Sequence, residues 1–150
     1  MITNMKILGK SSRWIACALL LGLLCLAGCG GEKRLGVELD TERWASVQAA
    51  ERFDRPGQVG ASLAAGRLDL DELRARLAET TAQKGEKTGH MPIPCVQLYL
   101  QDETGIAVLL YVGRDGSVQV GSDTGDAILY SYWDTESDAL YEWLLSALDS

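Results

Sequence analysis

Cys95-Val96-Gln97-Leu98-Tyr99-Leu100-Gln101-Asp102-Glu103-Thr104-Gly105-Ile106-Ala107-Val108-Leu109-Leu110-Tyr111-Val112-Gly113-Arg114-Asp115-Gly116 carries the main β signal of this chain. Val96, Leu98 and Leu100 alternate with Gln97, Tyr99 and Gln101, the two-residue period of a strand with one buried face. Asp102 to Gly105 supply turn residues, and Ile106 to Val112 is apolar almost throughout, which suits a central strand covered on both sides. Gly113-Arg114-Asp115-Gly116 is a hairpin signal. Further along, Val118 and Val120 continue as a shorter strand, Asp123-Thr124-Gly125-Asp126 makes another turn, and Ala127 to Trp133 reads as a fourth strand. An antiparallel meander is the economical arrangement.

Helical patterns flank this meander. After it, Thr135 with Asp138 three positions on opens a last helix, with Glu136 and Asp138 at its positive end and Leu140, Trp143, Leu144 and Ala147 toward the sheet. Before it, Trp44, Val47 and Ala50 recur at helical spacing behind Asp40 and Glu42, predicting a helix over Thr41 to Phe53. Asp54-Arg55-Pro56-Gly57 interrupts it, and Val59 to Ala65 predicts a short helix stopped by Gly66. Asp69 is a good N-cap with Glu72 three positions on, Leu70, Leu73 and Leu77 share one face, and Glu72 and Arg76 form an i,i+4 pair. The run from Gly66 to Leu73 resembles the helix-hairpin corner of several small bacterial domains of unknown function, which implies no activity. Lys84 to Gly89 reads as a surface loop. The expected class is therefore α+β: an N-terminal helix hairpin, a four-stranded antiparallel meander, and a C-terminal helix packed on the sheet. An alternative pairs a strand before Leu70 with a parallel neighbour, similar to the ferredoxin-like periplasmic domains of energy-coupling proteins.

The N-terminus has the three parts of a secretory signal. Lys6, Lys10 and Arg13 make a positive n-region without acids, and the uncharged run Ile15 to Ala27 is, at 13 residues, too short to span a bilayer. Leu26-Ala27-Gly28-Cys29 then resembles a lipobox, the bacterial pattern at which a cysteine is lipidated and the chain is cut just before it. Neither Cys17 nor Cys25 has the small residue pair at the cut. The resemblance implies a cleaved signal peptide over 1–28, Leu26, Ala27 and Gly28 as peptidase recognition residues, a lipidated Cys29, a tether over 29–36 and a single domain over 37–150. It also implies acyl chains as the membrane anchor, each buried methylene contributing about 0.8 kcal/mol. Gly30 and Gly31 follow the cysteine instead of an aspartate, which in the lipoprotein pattern implies the periplasmic face of the outer membrane in a diderm bacterium.

Without residues 1–28 the chain keeps 11 basic and 21 acidic residues, a net charge of −10. The imbalance is local: residues 97–150 hold 10 acids against Arg114 alone. Such acidity argues against nucleic-acid binding, which needs cations to neutralise phosphates, and leaves a solvated acidic surface as the simple reading, with a cationic protein partner, a polyamine or divalent ions as the alternatives. Cys95 would be the last cysteine besides the lipidated one, and as the start of an apolar strand it reads as a buried thiol rather than a nucleophile. His90 is the sole histidine, so no cysteine and histidine metal cluster assembles, and the acidic turns lack the spacing of a Ca²⁺ loop. No catalytic residue, metal site or cofactor is expected, and the chain is not read as an enzyme.

Alternation sets Tyr130 and Tyr132 on one strand face and Leu129 and Trp133 on the other. Left outside the helix-covered side, Tyr130 and Tyr132 with the nearby Asp123 and Asp126 form a candidate partner-binding patch, since tyrosine is enriched in interface cores; covered by a second helical layer, they are core. Two functions fit: a non-catalytic, membrane-anchored binding or structural subunit of the cell envelope, or an immunity lipoprotein that neutralises a periplasm-acting toxin. The first predicts a co-purifying partner without toxicity, the second a neighbouring toxin gene.

Overall fold

A computed structural model describes residues 31–149, so Leu26, Ala27, Gly28 and Cys29 lie outside the described residues. Along the chain run β1 (Lys33–Arg34), α1 (Leu35–Glu38), β2 (Trp44–Phe53), β3 (Ala61–Leu63), α2 (Leu70–Glu79), β4 (Thr81–Lys84), β5 (Cys95–Asp102), β6 (Ala107–Gly113), β7 (Ser117–Asp123), β8 (Ile128–Asp134) and α3 (Ala139–Leu148), with short 3-10 helices at Thr41–Arg43 and Ala65–Arg67. All strand pairs are antiparallel, in the order β1-β4-β8-β7-β6-β5-β2-β3. The β5–β8 meander forms the centre of this sheet. The N-terminal helix hairpin is not formed: among the described residues the sheet has eight strands, not four, and the helices are three and short.

The register of β2 explains why its sequence imitates a helix. Trp44 faces Asp102 and Ser46 faces Gln101, so Ala45 is an extra residue; Val47 faces Leu100 and Ala49 faces Tyr99, so Gln48 is a second. Each bulge inserts one residue and turns a two-residue repeat into a three-residue one. Trp44, Val47 and Ala50 thus share the face of Leu98 and Leu100, with Trp44 and Ala50 buried and Val47 packed against the core. The stretch read as a second helix is likewise split, into β3, which pairs Leu63, Ser62 and Ala61 with Ala50, Glu51 and Arg52, and the 3-10 helix Ala65–Arg67.

Helix α2 begins where its cap predicts, the Asp71 amide donating to Asp69 Oδ1 at 2.9 Å. Its Leu73 and Leu77 join Leu35 of α1 and Leu140, Leu144 and Leu148 of α3 over Val96, Leu98, Leu110, Val112 and Val118 of the sheet. All three helices therefore cover one face. Helix α3 starts later than Thr135, whose hydroxyl instead donates to the Gly116 carbonyl at 2.9 Å. Its buried stripe is Leu140, Tyr141, Leu144 and Leu148, while Trp143 is half-buried and takes the Arg76 guanidinium over its ring at 5.1 Å. The folded part reaches back to Lys33, which pairs with Ala82, followed by the fully buried Leu35.

Candidate binding surface

Because Val96, Leu98, Leu110, Val112, Val118 and Trp133 point into the core, strand alternation sends Gln97, Tyr99, Leu109, Tyr111, Gln119, Gly121, Tyr130 and Tyr132 to the opposite face. No described helix lies over that face. Instead, the chain after β4 crosses part of it. The Gly85 amide bonds the Tyr132 carbonyl at 2.7 Å, which ends the β4 pairing. The loop then lies on Gln119, whose side-chain amide donates to Thr88 Oγ1 at 3.1 Å and to the His90 carbonyl at 3.0 Å.

Between this loop and the tyrosine strand opens a cleft of about 350 Å³, lined by Lys87, His90, Met91, Tyr111, Tyr130 and Tyr132 among others. The Tyr130 and Tyr132 rings stand 6.3 Å apart at 33° to each other, and Tyr130 is 42% exposed. The floor is polar but satisfied: buried Gln97 donates to the Tyr111 hydroxyl at 3.3 Å. Burial, and next the neighbouring Tyr130 hydroxyl, push the Tyr111 phenol far above the usual tyrosine range, so it stays a neutral donor and acceptor. This surface offers aromatic faces and the cation Lys87, with Gln97 and Gln119 engaged beneath it.

Asp123 and Asp126 sit at the β7–β8 turn, exposed, at the Ile128 end of the tyrosine strand. Asp123 Oδ1 accepts the Gly125 amide at 2.9 Å, as Asp115 Oδ1 accepts that of Ser117 at 2.9 Å, so these carboxylates shape their turns. The acids of the C-terminal half collect at the two ends of the meander, Asp102, Glu103, Asp123 and Asp126 at one and Asp115, Asp134, Glu136 and Asp138 at the other. Among the described residues no three metal-binding side chains converge.

Cys95 opens β5 and is fully buried; burial, with the charge of Asp115, pushes its thiol up to about 12, which suppresses thiolate chemistry at neutral pH. The Nδ1 of His90 lies 2.9 Å from the Thr88 carbonyl in the crossing loop. Tyr111, Gln119, Lys87 and Met91 are the site residues that sequence reasoning did not select. Alternation assigns each residue to a face of its own strand, but the neighbouring strand and the loop above come from pairing. Compared with protein-family models, curated proteins and solved structures, the chain matches none.

Proposed function

We propose that this chain is a lipid-anchored envelope protein whose domain binds a protein partner, without catalysis, through the sheet face that carries Tyr130 and Tyr132. The observation that supports the reading is the strand face that no described helix covers, with Tyr130 exposed beside the cleft left by the crossing loop. Tyrosines on such a face present a large rigid contact area with a polar tip, the composition of an interface core. The lipobox-like Leu26-Ala27-Gly28-Cys29 supports the anchoring half. Lys33, four residues after Cys29, is already paired with Ala82, so a tether of at most about 14 Å would hold the domain close to its membrane. The acidic excess favours a cationic partner surface.

Two measurements test this. Cys29→Ser is expected to move the protein from the membrane to the soluble fraction, and unchanged membrane fractionation refutes the anchor. A photo-cross-linker at position 132 is expected to capture one defined protein in cell envelopes. Capture that is equally efficient from a position on α3, such as 146, refutes the face.

A further inference from the structure

The outer edge of β8 is only half used. The Thr124 amide bonds the Ala127 carbonyl at 3.0 Å across the β7–β8 turn, and this sets which residues bond back to β7. Leu129 and Ser131 exchange hydrogen bonds with Ser122 and Val120, while Ile128, Tyr130 and Tyr132 turn their N–H and C=O groups outward. The outward Tyr132 carbonyl is taken by Gly85. Beyond it β4 has left the edge, and among the described residues nothing occupies the outward groups of Ile128 and Tyr130. Ile128 and Tyr130, with Leu129 between them, are large and exposed, at 42%, 42% and 64%. An edge of this kind, with paired donors and acceptors at strand spacing, is complementary to an extended backbone.

A second copy of the chain does not fit there. A symmetric pairing centred on Leu129 would set Asp126 opposite Tyr132 of the second copy, the position Gly85 of that copy already holds. Registers shifted toward the turn would bring Asp126 of both copies together at one short edge, where like charges repel. The same carboxylates favour a cationic occupant.

We propose that the Ile128–Tyr130 edge of β8 takes up an extended, cationic segment of the partner protein as an added strand, continuing the line of β4. Successive side chains of that segment point to opposite faces, one set beside Leu129 and the other beside Tyr130, and a Lys or Arg beyond them reaches Asp126. The inference rests on the protein-binding reading above but names a different surface of the strand, its edge rather than its aromatic face.

The test uses the full-length protein in detergent micelles and a fluorescent hexapeptide, Lys-Val-Thr-Val-Thr-Lys. Binding is expected by anisotropy, with slowed amide hydrogen exchange confined to residues 127–131. A peptide N-methylated at alternate amides, or with both lysines replaced by Glu, is expected to bind at least about tenfold more weakly. Ile128→Pro removes an outward N–H without touching the β7 ladder and is expected to weaken binding likewise, whereas Ile128→Thr retains most of it. Unchanged exchange over residues 95–123 certifies the fold of each variant. No binding by the lysine peptide, or binding indifferent to N-methylation, overturns the edge. Partner capture at position 132 that persists in that case leaves the aromatic-face reading standing.

Discussion

Gly121 lies beneath the ring of Tyr130: a Cβ at position 121 would come within 2.7 Å of Tyr130 Cε1. The cross-strand glycine is thus what lets the ring lie flat on the sheet and shape the cleft, rather than stand away from it. Gly121→Ala is expected to tilt the exposed ring outward with a stability change within about 1 kcal/mol, because the ring can yield toward solvent. Partner capture from position 132 is expected to fall severalfold. Denaturant unfolding and cross-linking yield separate the two effects, and unchanged capture would show that the ring position is immaterial.

The bulges of β2 make an unusual deletion permissible. Removing Gln48 leaves Val47 opposite Leu100 and Ala49 opposite Tyr99, so Trp44, Val47 and Ala50 keep the core face. The expected cost is below about 1.5 kcal/mol. Removing Tyr99 from β5, whose pairing with β6 is unbroken, exchanges the faces of Leu100 and Gln101 and is expected to cost more than about 3 kcal/mol. Were β2 a helix, losing Gln48 would rotate Trp44 and Val47 off the buried stripe, so equal damage from both deletions would contradict the register.

Arg74 ties α2 to the start of β2. Its Nε donates to the Thr41 carbonyl at 3.1 Å, a terminal nitrogen donates to the Trp44 carbonyl, and the other meets Asp71 Oδ1 at 2.7 Å. Arg74→Met leaves the two carbonyls without this donor and is expected to cost about 1–3 kcal/mol by denaturant unfolding. Arg74→Lys is expected to recover only part, since one ammonium cannot span the positions a guanidinium reaches.

Cys95 predicts a pH dependence with a definite sign. Its folded pKa, pushed up to about 12, lies above the ordinary value of 9.0, so the folded state holds the proton more tightly. The contribution is complete below pH 9 and is lost as pH rises from 9 toward 12. Stability is expected to decline in that window with a slope of up to about 1.4 kcal/mol per pH unit from this group, and Cys95→Ala is expected to flatten it. Disulfide reagents at pH 8 are expected to modify Cys95 only on unfolding; rapid labelling of the native protein would contradict the burial.

Legibility differed sharply between parts of the chain. The strands from Val96 to Trp133 are readable from the alternation of Val96 to Gln101, the apolar run Ile106 to Val112 and turns rich in Gly and Asp, as with Asp115 and Ser117 or Asp123 and Gly125. The start of α2 was readable because a cap acts within a few residues. The sequence of β2 imitates a helix because Ala45 and Gln48 stretch its repeat toward that of a helix, and only its pairing with β5 marks them as extra. Of the candidate surface, Tyr130 and Tyr132 could be placed on a shared face, but Tyr111 and Gln119 join them through ladder pairing, and Lys87, His90 and Met91 through a loop that crosses from elsewhere.

Local chemistry along the chain was enough to place the central strands, their turns and the capped helix before them, and the charge asymmetry. The identity of β2, the extension to eight strands, the side on which all three helices pack and the edge left open at Ile128 and Tyr130 were set by tertiary contacts. The division follows from range: turns, caps and side-chain alternation are satisfied by neighbours a few residues away, whereas a bulge, an edge or an uncovered face is defined only by what lies, or does not lie, alongside it.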